Sequence, residues 1–401
     1  MANTILTPTA VTREALRVLH QKLNFIGNIN RTYDDSFAKS GAKIGDSLKI
    51  RLPNEYVVRT GATLSAQDTT ESSTTLQVAT QKGVDLNFTS ADLTLSLDDF
   101  SSRILEPAMA VLAANMEADA LSMYKDVYNL VDQDATAFTL NTLLNGRKTL
   151  NDSLAPMDNN RSCLLSTGSS VKLVDALKGL FQDSSEISKQ YREGKMGRTA
   201  GFDFYENTLI QQHLTGTSPK ATAQTVNGAV TTNGSASLIL AGTTYTWKQG
   251  DVFTAVGCNR VHPETKVSTG VLQQFVVTAD CTGVAGQTLY FSPAIHTTLG
   301  RQNVVAAGIA NGVSLVKVGA GASESLNSDL VFHRDAFAFA TADLMMPKGV
   351  DFAAREVYDG VSLRIVRQYD IANDKFPCRL DVLYGYKTIR PQMAARLHAD
   401  G

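Results

Sequence analysis

Charge is scarce in this chain. Of 401 residues only 19% are charged, below the roughly 25% usual for soluble domains, and 37 Lys+Arg against 39 Asp+Glu leave a formal net charge of −2. The broad basic excess of a protein that wraps nucleic acid is missing, so any DNA it meets is expected to be contained and not gripped. A large monomer needs charge to keep its surface solvated, whereas a subunit that hides surface against copies of itself needs less. Cysteine is also sparse. Cys163, Cys258, Cys281 and Cys378 are scattered with no CxxC pair, which points to free thiols in a reducing compartment. No apolar run approaches the ~18 residues that span a bilayer. The first residues, MANTILTPTAVTREAL, lack a basic segment followed by an apolar one. The expectation is a protein with no membrane partner, made and kept in a cytoplasm.

Catalytic constellations are missing too. His20, His213, His262, His296, His333 and His398 stand alone, with neither HExxH nor a His–Cys ligand spacing. LSTGSS from Leu165 does not make GxSxG, and GKMGRT from Gly194 lacks the phosphate-loop spacing. Asp98 and Asp99 fit a helix start better than a cation site. His262–Pro263 in NRVHPETK reads as a solvated turn. The chain is therefore expected to be no enzyme, with no catalytic residue, metal or cofactor.

What is present is an ordered series of patterns. Leu16, Leu19, Leu23 and Ile26 recur on one helical face, opposite Arg13, Glu14, Arg17, Gln21 and Lys22. Thr12 is the expected N-cap, and Gly27 and Asn28 the expected end. This helix either docks on its own domain or reaches a neighbour. Leu48, Ile50 and Leu52 alternate with Ser47, Lys49 and Arg51, and a second alternating run holds Leu76, Val78, Val84, Leu86 and Phe88. The polar stretch Arg59 to Thr75 between them is too long for an ordinary hairpin and too polar to pack inward, so it is expected to need an external partner. A helix opened by Ser90 or Thr89 leads to a second, started by Pro107. Ala108, Ala110, Ala113, Ala114, Ala118 and Ala120 would let that second helix pack closely. Ser162–Ser166 suggests a short buried strand, and Val171–Phe181 a helix.

From about Gly216 to Gly300 the chain is rich in Thr, Gly and Val, with no charge between Ala221 and Trp247. Strands are expected at Ala236–Leu240, Val252–Val256, Gln273–Thr278 and Thr288–Phe291, making an inserted all-β module. Its core candidates are Leu238, Leu240, Val252, Phe253, Val256, Leu272, Phe275, Val277, Leu289 and Phe291, and Trp247 is the single tryptophan. Alternation then returns at Val361, Leu363 and Ile365, and at Cys378, Leu380, Val382, Tyr384 and Tyr386.

Several segments in this order carry a resemblance: LAANMEADAL (Leu112–Leu121), AGFDFYEN from Ala200, KQGDVFTAVGCNRVHPETKVSTGVLQQFVVT from Lys248, LVFHRDAFAFATADLMMP from Leu330, and PCRLDVLYGYKTIRP (Pro377–Pro391). They resemble the coat-protein family of the P-twenty-two type, major capsid proteins of tailed double-stranded DNA bacteriophages. The resemblance implies an α+β phage major-capsid (HK-ninety-seven type) fold. It would comprise an N-arm (1–43), an extended loop (44–88), a spine helix (about 100–131) with the first part of the P- and A-domains (89–215), an inserted β-barrel domain (216–300) and the rest of the P/A core with closing strands (301–401).

By function it implies a structural subunit that copies itself into hexamers and pentamers of an icosahedral shell, with scaffolding and portal proteins as partners. The procapsid would expand as double-stranded DNA is enclosed without sequence-specific binding. The product is a virion capsid assembled in the host cytoplasm. A bacterial nanocompartment shell of the same fold, holding protein cargo, is the alternative. Candidate contacts follow: Arg59, Asp68 and Glu71 on the extended loop toward a neighbouring subunit, and Arg13, Arg17 and Lys22 on the arm toward the scaffold. Because the early insertion is uncharged, any inter-capsomer salt bridges would fall to Lys248, Asp251, Arg260, Glu264 and Lys266.

Overall fold

The computed structural model describes residues 8–33, 46–64, 66–67, 71–88, 104–177, 198–220, 224–242, 244–298, 300–319, 321–358, 361–371 and 376–400. In chain order the strands are β1 (Asp46–Leu52), β2 (Ser72–Val78), β3 (Thr80–Phe88), β4 (Leu130–Ala137), β5 (Arg161–Leu165), β6 (Arg198–Thr199), β7 (Phe202–Glu206), β8 (His213–Leu214), β9 (Gln224–Asn227), β10 (Ser235–Ala241), β11 (Val252–Val261), β12 (Ser268–Val277), β13 (Thr288–Ile295), β14 (Ser314–Val318), β15 (Ser325–Leu326), β16 (Asp329–His333), β17 (Phe337–Ala342), β18 (Phe352–Tyr358), β19 (Val361–Arg367), β20 (Phe376–Thr388) and β21 (Ala394–Asp400). Among the described residues the α-helices are Pro8–Lys22, Glu106–Leu121, Leu140–Asp152 and Thr167–Leu177. The chain divides into two compact units, one of residues 1–50, 73–121 and 337–389, the other of 51–72, 122–336 and 390–401.

In the first unit a sheet of order β17-β20-β19-β18 takes β3 against the other edge of β20, all antiparallel. The alternation along β20 places Cys378, Leu380, Val382 and Tyr384 in the interior, but Asp381 and Leu383 on the opposite face are buried as well. Both faces of mid-β20 are covered. Gly385 sits there because a Cβ would lie 2.0 Å from the Gln77 carbonyl oxygen of β2, leaving room for hydrogen only. β1 and β2 pair as a two-stranded ribbon, and Leu48, Ile50, Leu76 and Val78 turn inward as the alternation predicts. β2 begins at Ser72, inside the stretch expected to be loop, since its Thr residues are β-branched and favour a strand.

The N-terminal helix docks on this unit. Leu16, Leu19, Leu23 and Ile26 are all buried, so the apolar face is covered within its own unit. Its ends differ from expectation. It starts at Pro8, so Thr12 is an interior residue and fully buried. It stops at Lys22, before Gly27, because the following amides turn toward the buried Glu117 carboxylate. The helix Glu106–Leu121 has Pro107 in its first turn and buries Ala108, Ala113 and Ala120 with Met109, Leu112 and Met116. The spine expected as far as residue 131 is shorter. A 3-10 turn at Ser122–Asp126 and strand β4 replace its end.

In the second unit a mixed sheet runs β4-β21-β16-β5-β7-β6, with β4–β21 and β5–β7 parallel. β5 is buried along its whole length, as its apolar run suggests. The insertion is a closed barrel, β10-β13-β12-β11-β14-β9. Its interior holds Phe253, Phe275, Phe291 and Trp247, with ring centroids 5.1–5.9 Å apart, ringed by Leu238, Leu240, Val277 and Leu289.

Three expectations for the barrel are corrected. First, it does not close at Gly300: β14 is one of its staves, and Val304, Ile309 and Leu315 belong to its core. The loop after β13 is glycine-rich and irregular, which hid the last strand. Second, Val256 is 51% exposed and Leu272 is only half-buried. Phe253 and Ala255 face in, so Val256 faces out. Third, Val252 shares that outer parity and is buried only because it packs with Val276 against Leu130. The barrel enters and leaves through β8 and β15, which pair antiparallel, so its two ends meet as an insertion requires.

Candidate functional site

The leg of the extended loop crosses the barrel rim within the second unit. Lys266 Nζ lies 3.2 Å from Glu55 Oε2 and donates to the Gln302 carbonyl at 3.3 Å. Gly300 permits the crossing, since a Cβ there would sit 2.3 Å from the Glu55 carbonyl oxygen. Farther out, the Gln67 side chain bonds both backbone groups of Val57, accepting from its N–H at 2.9 Å and donating to its C=O. Arg59 folds back onto the carbonyls of Gly61 and Thr63. Arg51 and Glu71 pair at 3.4 Å across the neck. Two of the three loop candidates, Arg59 and Glu71, therefore have partners in their own chain, and Asp68 lies outside the described residues. The sequence reading missed what the loop leaves uncovered: Tyr56 is 56%, Val58 89% and Leu64 83% exposed. The signal was present in NEYVVRTGATL, an apolar cluster inside a polar loop.

On the N-terminal helix Arg13 and Arg17 are exposed as expected. Arg13 approaches Glu356 at 3.7 Å, and Arg17 pairs with Glu14 at 2.6 Å. The side chain of Lys22 lies outside the described ones. The helix thus carries a salt-bridged outer face more than an unpaired basic one.

The insertion candidates separate by burial. Asp251 is fully buried. Its carboxylate takes His213 Nε2 at 2.9 Å and the backbone N–H groups of Gly216 at 3.0 Å and Lys248 at 2.8 Å. This corrects its placement as an inter-capsomer contact. In KQGD the acid closes its own turn and joins the barrel to its stalk. Lys248 pairs with Asp280 at 2.8 Å, and that partnership lowers the Asp280 carboxyl and raises the Lys248 ammonium. Arg260 reaches Asp152 at 3.5 Å, and Lys266 holds the loop. Glu264 stands exposed on the β11–β12 turn, where the Glu264 and Thr265 amides donate to His262 Nδ1. His262 is a turn residue, as expected.

Buried charge marks the barrel's attachment. Lys317 Nζ, on a nearly inaccessible side chain, donates to the carbonyls of Gly216, Ser218 and Gly321 at 2.8–3.1 Å, and burial lowers its pKa. Tyr124 Oη lies 3.4 Å from His213 Nδ1. The Arg396 guanidinium sits 6.0 Å from the Tyr124 ring centroid, its pKa pushed down to about 10 by burial. These contacts hold structure together. Ser166 Oγ likewise caps a helix by accepting the Ser169 N–H, and the Ser166 N–H and the Ser169 hydroxyl donate to the buried Asp329, whose carboxyl is raised by burial. Among the described residues no cluster of His, Cys, Asp and Glu has the spacing to hold a metal. No described helix is long and apolar enough to cross a membrane. All four cysteines are free and buried.

A docked arm, an extended loop with an uncovered apolar tip, an alanine-lined helix and an inserted barrel are thus the described parts of the chain. A family model described as "P22 coat protein - gene protein 5" matches residues 28–397, and the chain belongs to that family. It is a structural, shell-forming capsid protein of the bacteriophage type. No curated protein sequence matches the chain. Among solved structures, that described as Mycobacterium phage Che8 is similar at 12% identity and TM-score 0.47, over 94% of this chain and 91% of that one. The capsid of cyanophage P-SCSP1u is similar at 12% identity and TM-score 0.43, over 90% and 85%. The CUS-3 coat protein I-domain is 27% identical over 24% of this chain and 95% of its own, with TM-score 0.19.

Proposed function

We propose that this chain assembles as hexamers and pentamers into an icosahedral shell that encloses the double-stranded DNA of a bacteriophage. Assembly runs through a scaffolded procapsid with a portal, which expands on packaging, in the host cytoplasm. The chain catalyses nothing. The observation that carries this reading is family membership over residues 28–397. The near-neutral charge supports containment of DNA without binding to it. Electron microscopy of the purified chain, alone and with its scaffold, tests the reading: closed shells of uniform diameter are expected. A compact monomer at every concentration and salt would overturn it. Particles that co-purify with an enclosed enzyme in place of DNA would favour the nanocompartment.

A further inference from the structure

Asn145, Asn227, Asn233 and Asn311 are each followed by glycine, and all lie in the second unit. This dipeptide is chemically labile, because glycine has no Cβ to shield its nitrogen. Once that nitrogen loses its proton it attacks the preceding side chain. The N–Cγ bond forms, the Cγ–Nδ2 bond breaks, and ammonia leaves with the proton that the glycine gave up. Water then opens the resulting succinimide at either carbonyl, giving aspartate or isoaspartate. A hydrogen bond that holds the glycine proton slows the first step, and so does a tether on the carboxamide.

The fold protects the four sites unequally. Gly146 lies inside the helix Leu140–Asp152, where its N–H belongs to the helical ladder. The Gly234 N–H donates to the Ile295 carbonyl at 2.8 Å. The Asn233 carboxamide before it is tied down as well, donating to Thr298 Oγ1 at 2.7 Å and accepting the Thr297 N–H at 2.8 Å. The Gly312 N–H donates to the Val226 carbonyl at 2.8 Å. Gly228 differs, because its N–H donates to a side chain, Asn311 Oδ1, at 2.7 Å in an exposed bond. Asn227, the last residue of β9, and Gly228 are both exposed. No hydrogen bond ties the Asn227 carboxamide among the described residues. An exposed bond to a side chain opens more often than one inside a ladder.

We propose that Asn227 is a site of spontaneous deamidation and that the Asn311 side chain guards it. The product places a carboxylate in the stretch from Ala221 to Trp247, which otherwise carries no charge. Isoaspartate also adds a methylene to the backbone at the residue that pairs with Ile239 of β10, so the end of a barrel stave is disturbed. Conversion of Asn311 to aspartate would still leave an oxygen to accept the Gly228 N–H, so the guard survives its own deamidation.

The test is incubation of the full-length chain at mildly alkaline pH, beside a denatured sample, with peptide mass mapping that separates asparagine, aspartate and isoaspartate. All four sites should convert in the denatured chain. In the folded chain Asn227 should convert first. Asn311→Ala should speed its loss roughly three- to tenfold, with Asn145 and Asn233 unchanged, and Asn311→Asp should keep the wild-type rate. An unchanged rate at Asn227 in Asn311→Ala, or an equal rise at Asn233, overturns the proposal. If that variant does not fold, the wild type decides alone. Conversion of Asn145, Asn233 or Asn311 ahead of Asn227 would then overturn it, as would an intact Asn227 when the denatured chain has fully converted.

Discussion

The side-chain amide of Gln274 pairs with both backbone groups of Leu130, accepting from its N–H at 2.8 Å and donating to its C=O at 2.9 Å. Gln274 belongs to the barrel strand β12, and Leu130 begins β4 of the mixed sheet. A glutamine thus stands in for a strand neighbour at the seam of the second unit, flanked by the apolar contact of Val252 and Val276 with Leu130. Replacing it with alanine leaves both Leu130 groups without a partner where water is scarce. Gln274→Ala should cost about 1–3 kcal/mol. The loss should be local: exchange at Leu130 should accelerate while Trp247 fluorescence keeps its native spectrum.

The barrel should fold alone only when it is whole. A fragment of residues 213–326 contains the stalk pair β8–β15 and all six staves. Residues 216–300 lack β14 and the core residues Val304, Ile309 and Leu315. The longer fragment should melt cooperatively by circular dichroism and Trp247 fluorescence, and the shorter one should show no transition. A cooperative melt of 216–300 would mean that the sixth strand is dispensable.

Phe275 is fully buried and contacts Phe253 and Phe291 at centroid distances of 5.5 and 5.1 Å. Phe275→Ala should destabilise the barrel by about 3–5 kcal/mol. Denaturant unfolding followed by Trp247 should show the midpoint move, while Val256→Ala, at an exposed position, should shift it by no more than about 0.5 kcal/mol.

The apolar tip of the extended loop should matter to assembly and not to the subunit. Val58→Asp with Leu64→Asp changes side chains that are 89% and 83% exposed, so the melting temperature of the unassembled chain should hardly move. Shell yield by sedimentation should fall sharply. Reversing Arg59 and Glu71 together should act more weakly, because both side chains already bond their own loop or its neck. Unchanged yield in the aspartate variant would show that the tip is not a subunit contact.

Local pattern decided much of the secondary structure. Leu48 and Ile50, Leu76 and Val78, and Phe275 and Val277 each lie two residues apart, and a strand's pleat sends such pairs to one face whatever surrounds it. The arm helix was equally legible, since Leu16, Leu19 and Leu23 can gather only on a helix. The family resemblance was legible in segments such as LAANMEADAL, which need no structure to be compared.

Parity along a strand says which residues share a face, but not what covers that face. Val252 and Val256 point the same way out of the barrel. Val252 is buried because Leu130 and Val276 meet it, and Val256 is exposed because nothing does. Past Val256, Gly257 takes a φ of +81° and the register of β11 against β12 shifts, so Cys258 turns inward one residue late.

Charge was harder to place than apolarity. The acids Asp251 and Glu117 look like solvated residues in sequence, yet both are interior, and each takes a backbone N–H from a segment distant in the chain. Those donors lie 35 and 92 residues away for Gly216 and Phe25. The sequence by itself therefore determined the alternating strands named above, the arm helix, the presence of an all-β stretch and the family. Only the tertiary structure decided where the barrel closes, which charges are spent within the subunit, and which side chains remain for another. Those outcomes depend on contacts between segments far apart in the chain, and local periodicity carries no record of them.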